Sequence, residues 1–412
     1  MFNPYPHSLF ALDLGTTKFC LAALLHGSNN EPPRIEIVSV DAQGMRRGML
    51  ANFEKASQAL NSLLENAERQ LGVDISRVVT GVAGSHLDGF KATASTYIDE
   101  EVISPNILLR LSSQVEQANR RDGKEILHTV PISYRIDNRE STNNPIGFSG
   151  KMLHGEFLMI FSDQHYLKDI VNLCNHCGLQ VSNLYAEPFA SSSVTLADKN
   201  KELGAAVADI GGGTTDGIVY QNGRPSGVFT VNVASLMMTN DLAIGLGISQ
   251  EEAERAKIFF GLIAGEYSQS LEVKTLTGHN RVVYWREVAE ILAPRIKELT
   301  LHIVKELLPY KGMLAGGILL TGGGANVKGI GGYMSELIKI PVKRVNPVLE
   351  IPQQLFQSSD KSNYYENSTK FATSLGLLNL EISRHIEAQR KNKKTWPARY
   401  LSQFVNWLKE LS

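Results

Sequence analysis

The chain has 412 residues, 43% hydrophobic and 20% charged, the balance of a soluble globular protein too long for one core. A formal net charge of −1 gives no global field that favours nucleic acid, and no apolar run reaches the length of a membrane span. Three cysteines indicate a reducing compartment rather than a disulfide framework, and the first residues lack the basic and apolar regions of a signal peptide, so the sequence reads as cytosolic.

The first predicted element is an apolar strand over 10–14. It delivers Asp13 into the turn Gly15-Thr16-Thr17-Lys18, and a returning strand follows over 19–22. Glycine lets the backbone approach an anion with no Cβ in the way, and successive N–H groups and threonine hydroxyls suit phosphate oxygens. The aspartate suits Mg²⁺, directly or through its waters. Alone, such a turn is equally an ordinary hairpin. A helix follows over 52–71, then a strand over 78–86 ending in Gly84-Ser85-His86. Residues 87–162 read as an inserted piece, with a helix over 104–120, strands near 126–134 and 156–161, and a polar loop between them. Beyond it, a helix over 166–177 stops at Gly178, a C′ glycine. Cys174 and Cys177 within that helix read as small core residues one turn apart, because Cys20 is the only cysteine left to complete a metal or redox site.

Glu187-Pro188 is good first-turn chemistry for the next helix. The opening pattern then returns: Asp209, the turn Gly211-Gly212-Gly213, and Thr214-Thr215 ahead of a strand over 217–220. Two facing copies would clamp one nucleotide from both sides. Helices are predicted over 236–261 and 286–308, with a small hairpin over 268–284. Glu254 and Lys257 lie three apart on one helix face, the spacing of an intrahelical ion pair. A third glycine cluster, Gly322-Gly323-Gly324 with Asn326, follows the buried strand Ile318-Leu319-Leu320 and offers a side-chain-free wall for a flat adenine ring. A polar surface loop over 354–368 precedes a closing helix over 371–378.

The tail is different in kind. After Arg390-Lys391-Asn392-Lys393-Lys394, the residues Trp396, Tyr400, Leu401, Phe404, Trp407, Leu408 and Leu411 repeat at helical spacing and fill a sector of roughly 140°. Arg399, Gln403, Asn406, Lys409 and Glu410 fill the opposite side. Such a segment is too short and too polar to span a bilayer but can lie in its interface. Indoles favour the headgroup level, and neighbouring basic residues each add about 1 kcal/mol near an anionic leaflet.

Two phosphate hairpins, a connecting helix and a triple glycine in this order resemble the actin-like ATPase superfamily. Within it the chain is most similar to the FtsA family of bacterial cell-division proteins. The resemblance rests on Gly84-Ser85-His86, on 121–127 and 145–150, on 239–244 and 251–257, and on where the inserted piece falls. It implies an α/β actin-like ATPase fold, with two RNase H-like lobes around a nucleotide cleft, a small inserted α+β subdomain and a C-terminal amphipathic helix. The first lobe would comprise 1–86 and 163–200, with the inserted subdomain at 87–162. The second-lobe core would comprise 201–235, its helical subdomain 236–310, and more second-lobe core with the return to the first lobe 311–380. A charged linker (381–395) and a membrane-targeting helix (396–412) would complete the chain.

The resemblance also implies roles. ATP and Mg²⁺ would be held by the two hairpins, with Asp13 and Asp209 at the metal. Glu187 would face the attacking water, the Glu254–Lys257 pair would lie against ribose and adenine, and hydrolysis would be slow at most. The protein would polymerise, anchor the tubulin-like FtsZ to the cytoplasmic face of the inner membrane at the septum, and recruit later division proteins through the inserted subdomain, with no nucleic-acid partner. The FtsZ tail would dock on the helical subdomain near Arg286, Arg295 and Lys297, a placement by location only. Alternatives on the same fold are a small-molecule kinase and a pilus-assembly scaffold; the aromatic tail favours the division protein.

Overall fold

The computed structural model of the protein describes residues 8–25, 33–262, 269–349 and 368–392. Strands β1 (Leu9–Leu14), β2 (Lys18–Leu25) and β3 (Arg34–Asp41) form a meander. Seven consecutive residues of β2 are buried, because layers cover both faces of the sheet and alternation is lost. A tight pair, β4 (Met45–Arg46) and β5 (Met49–Leu50), turns through Arg47 and Gly48 at φ 51° and 73°, as a type I′ hairpin requires. Helix α1 (Phe53–Leu71) starts where the Asn52 side chain accepts the Lys55 N–H, and it stops at left-handed Gly72.

Strand β6 (Arg77–Val82) leads into the inserted unit: β7 (Asp88–Tyr97), α2 (Pro105–Ala118), β8 (Lys124–Ile136) and β9 (Met152–Asp163). Its sheet runs β7-β9-β8. One face buries Ile103, Ile107 and Leu111, while Leu158 and Ile160 on the other face meet the two lobes. Helix α3 (Gln164–His176) follows, capped by Asp163, and Gly178 beyond it has φ 81°. Burial pushes the Cys174 thiol up to about 12, in keeping with a core residue. Strand β10 (Gln180–Ala186) and helices α4 (Glu187–Thr195) and α5 (Asp198–Leu203) carry the chain across to the second lobe.

That lobe repeats the first. Strands β11 (Ala205–Ile210), β12 (Thr215–Gln221) and β13 (Arg224–Val231) form a second meander. The helical region comprises α6 (Ser235–Leu246), α7 (Gln250–Phe260), the hairpin β14 (Ser270–Lys274) and β15 (Asn280–Tyr284), and α8 (Trp285–Leu307). Strand β16 (Ile318–Thr321), helix α9 (Ile330–Ile338), β17 (Val342–Arg344) and α10 (Ala372–Asn392) close the chain. The two sheets run β3-β2-β1-β6-β10 and β13-β12-β11-β16-β17. In each, three antiparallel strands are followed by two added in parallel. Equivalent registers put Asp13 opposite Cys20 and Asp209 opposite Asp216.

Helix α10 packs on β1 and α4, and Gly376 meets the Ala190 carbonyl so closely that any Cβ there would collide. The helix runs past residue 380, where the charge pattern suggests a linker, because those charges are spent on internal pairing. Buried Glu381 accepts from Asn183 Nδ2 (3.1 Å), the Tyr185 hydroxyl (3.1 Å) and Arg384 Nε (2.9 Å), and it pairs with His385 (3.1 Å). Burial opposes its charge, but the His385 and Arg384 bonds outweigh burial and hold the carboxyl at about 2. A depressed carboxyl stabilises fully above its unfolded value and loses that contribution as pH falls through the folded one. The contribution is therefore lost between about pH 4.5 and 2, and Glu381→Gln should cost about 3 kcal/mol at pH 7. Urea unfolding of both proteins should show that difference shrinking below pH 4; a constant gap would contradict it.

Candidate functional site

Both β-hairpin turns point into one cleft of about 590 Å³ between the lobes. They approach each other closely. A Cβ on Gly212 would collide with Thr17, and one on Gly213 with the Thr16 hydroxyl and the Arg47 backbone. Thr16 Oγ1 in turn accepts the Gly48 N–H (3.0 Å), and the buried Tyr166 hydroxyl donates to the Gly48 carbonyl (2.7 Å). The β4–β5 hairpin thus wedges between the two glycine turns.

Carboxylates converge at the cleft floor. Asp13 is buried and paired with Lys18 Nζ at 3.1 Å. Burial works against the Lys18 charge, but Asp13 keeps its pKa above the usual lysine range. Asp209 accepts from Thr373 Oγ1 (2.9 Å), and burial pushes its carboxyl up to about 7. Glu187, the first residue of α4, lies against Gly81, where a Cβ would leave it no room. Burial, then the charges of Asp13, Asp216 and Asp209, raise its carboxyl well above the usual range. Asp216 is buried too, and burial raises its pKa. It accepts from Thr214 Oγ1 (2.7 Å), Thr230 Oγ1 (2.6 Å) and the Gly84 N–H (3.1 Å), which ties the second hairpin to the start of the inserted unit. Repelling carboxylates beside two N–H-rich glycine turns suit a hard divalent cation carried by a phosphate chain.

The opposite wall holds Glu254, Lys257, Gly322, Gly323, Gly324 and Asn326. Lys257 is buried, and its ammonium donates to Ser235 Oγ (2.7 Å) and Thr239 Oγ1 (2.9 Å) and pairs with Glu254 (2.6 Å). Its three donors are used within the chain, so a ribose hydroxyl would meet Glu254, with Lys257 anchoring the carboxylate. The glycines divide their work. A Cβ on Gly322 would strike Asp209 and one on Gly324 would strike Ile210, whereas at Gly323 the nearest atom is 3.9 Å away. Gly323 supplies the bare wall, and its neighbours permit close strand packing. Asn326 Oδ1 accepts from Thr369 Oγ1 (2.8 Å).

The cleft gathers every residue expected at the nucleotide except Thr215. By strand register Thr215 takes the position of Phe19, fully buried, and its hydroxyl donates to the Val233 carbonyl (2.8 Å). The cleft also enlists Tyr166, Asp216, Thr369 and Thr373, which local sequence does not single out. Away from it, Arg286 and Lys297 are exposed on α8. Arg295 is held by Asp241 (2.6 and 3.0 Å) and Glu298, so it ties α8 to α6 and is not a free cation. Trp396, Tyr400, Leu401, Phe404, Trp407, Leu408 and Leu411 lie outside the described residues. Among the described residues no helix is long and apolar enough to cross a membrane.

A family model described as "Cell division protein FtsA" matches residues 206–376, and one described as "SHS2 domain inserted in FTSA" matches 84–161, together more than half of the chain. The cell division protein FtsA of Escherichia coli (strain K12) is 27% identical over 97% of this chain and 96% of its own length. Among solved structures, a PilM–PilN type IV pilus biogenesis complex matches with a TM-score of 0.64 at 16% identity, covering 91% of this chain and 98% of the other. MreB5 of Spiroplasma citri bound to ADP matches with a TM-score of 0.56 at 14% identity, covering 95% and 99%. These likenesses establish the actin-like fold. With an inserted unit and a second lobe that both match the cell-division models, on an actin-like scaffold aligned to a relative almost end to end, the chain belongs to the FtsA family of bacterial cell-division proteins.

Proposed function

We propose that this protein is an ATP-dependent, membrane-docked adaptor that polymerises, ties FtsZ filaments to the cytoplasmic face of the inner membrane at the division septum, and recruits later division proteins through its inserted unit. The observation that carries the nucleotide part is the meeting of the two glycine turns over converging carboxylates. Asp13 and Asp209 would hold Mg²⁺, and Gly15, Thr16, Thr17 and Lys18 would grip the phosphates from one side. Gly211, Gly212, Gly213 and Thr214 would grip them from the other, with Glu254, Asn326 and Gly323 around the nucleoside. Bound Mg²⁺ would neutralise phosphate charge. Glu187, whose carboxyl is raised by burial and then by its acidic neighbours, would be an acceptor for a proton from water. Slow hydrolysis, with nucleotide acting chiefly as a clamp on filament state, fits a site built mainly to hold.

The membrane part rests on the amphipathic aromatic pattern of 396–412 beside a basic connector. Labelled FtsZ filaments on anionic bilayers with ATP should be recruited by the full chain and not by one ending at Thr395. Equal lipid binding by the shortened chain would refute the anchor. If the full chain binds lipid without recruiting FtsZ, the partner is wrong. For the FtsZ contact, Arg286 and Lys297 are exposed cations on α8. Changing both to Glu should weaken binding of an acidic FtsZ tail peptide roughly tenfold or more while ATP binding holds. Unchanged peptide affinity would remove α8 as the docking helix.

A further inference from the structure

Strand β10 is an edge of the first-lobe sheet, and β8 is an edge of the inserted sheet. Among the described residues no ladder joins them. A hydrogen bond does: the Ala186 N–H at the end of β10 donates to His128 Nε2 of β8 at 3.0 Å, beside apolar packing of Ala186 with Leu127 and Ile132. Ala186 immediately precedes Glu187, and as the N-cap of α4 it has no side chain with which to fix the helix start. The imidazole stacks against Tyr185 on one side of that junction and Phe189 on the other, with ring centroids 5.9 and 5.1 Å away. Because Nε2 accepts, the ring is neutral with its proton on Nδ1. Burial, which pushes its pKa down to about 4, keeps it so at ordinary pH.

We propose that His128 is a positioning residue: from the inserted unit it pins the Ala186 peptide and so fixes where Glu187 enters the cleft. The inference rests on the nucleotide reading above and deepens it, because it makes the inserted unit a controller of hydrolysis. His128 is not among the residues that line the cleft, so nucleotide can stay bound while the carboxylate is moved. A partner that displaces β8 would change the hydrolysis rate and leave ATP affinity alone. Just ahead of that unit, the Gly84 N–H bond to Asp216 gives a second, separate hold on the second hairpin.

The test uses the full chain with radiolabelled Mg-ATP, measuring equilibrium affinity and single-turnover hydrolysis on the same samples. His128→Phe keeps a flat ring for Tyr185 and Phe189 but removes the acceptor; His128→Gln restores an acceptor at similar reach. The Phe variant should bind ATP as wild type does and hydrolyse it at least about tenfold more slowly, since small misplacements of a reacting group cost that much. The Gln variant should recover most of the rate. A Phe variant that hydrolyses at the wild-type rate, or loses affinity and rate in parallel, overturns the proposal while the nucleotide reading stands. Wild type that binds ATP but never cleaves it also overturns the proposal and leaves the clamp. Wild type that binds no nucleotide overturns both.

Discussion

Glu187→Gln should leave Mg-ATP bound and slow its hydrolysis by on the order of 10²–10⁴-fold, the usual worth of a positioned general base. Glutamine keeps the shape that fits against Gly81 and still orients a water, but it cannot take its proton. Affinity should hold or improve, because a carboxylate surrounded by Asp13, Asp209 and Asp216 repels both its neighbours and an incoming phosphate chain. Asp209→Asn provides the contrast, since loss of the proposed cation ligand should lower Mg-dependent affinity first. Single-turnover cleavage with saturating nucleotide separates the two. Wild-type hydrolysis by the Gln variant would mean that another group directs the water.

Gly213→Val should weaken ATP binding roughly ten- to a hundredfold, the equivalent of about 1–3 kcal/mol of overpacking. The new side chain would meet the Thr16 hydroxyl and the Arg47 backbone, both on the far side of the cleft. The damage therefore falls on closure of the two turns over phosphate and spares the folding of either lobe. Gly332→Ala, in α9 with nothing within 4 Å, is the control and should bind nucleotide normally. Titration with a fluorescent ATP analogue decides it; wild-type affinity in Gly213→Val would mean that the turns need not meet.

The glycine turns, the apolar strands and the inserted unit were legible because each is written in consecutive residues. Thr215 misled because matching Thr-Thr to Thr-Thr follows residue type, whereas the strands count from the aspartate. Asp13 to Cys20 and Asp209 to Asp216 are the equivalent spans, so Thr215 falls where Phe19 enters the core. Arg295 read as an available cation because its partner Asp241 sits on another helix, and for the same reason the Glu254–Lys257 pair could be read without the Ser235 and Thr239 hydroxyls that bury it. The charges at Glu381, Arg384 and His385 read as a connector, yet at helical spacing they satisfy one another and stay against β10. Tyr166 and Thr373 enter the cleft from elements remote in sequence, and no local pattern announces such an approach.

The chain passes between the lobes through α4, and it comes home in α10. The two helices cross where Gly376 rests on Ala190. With so little bulk at that crossing, it is a natural axle, and the glycine turns are the latch on the opposite rim. The inserted unit then becomes a long arm, gripped near its root by His128 and Gly84 and ending in exposed Tyr97 and Phe148. Were the lobes to rotate about that crossing as the turns close, the tip, farthest from it, would be displaced most. A neighbour touching the tip would receive an amplified copy of what the cleft is holding.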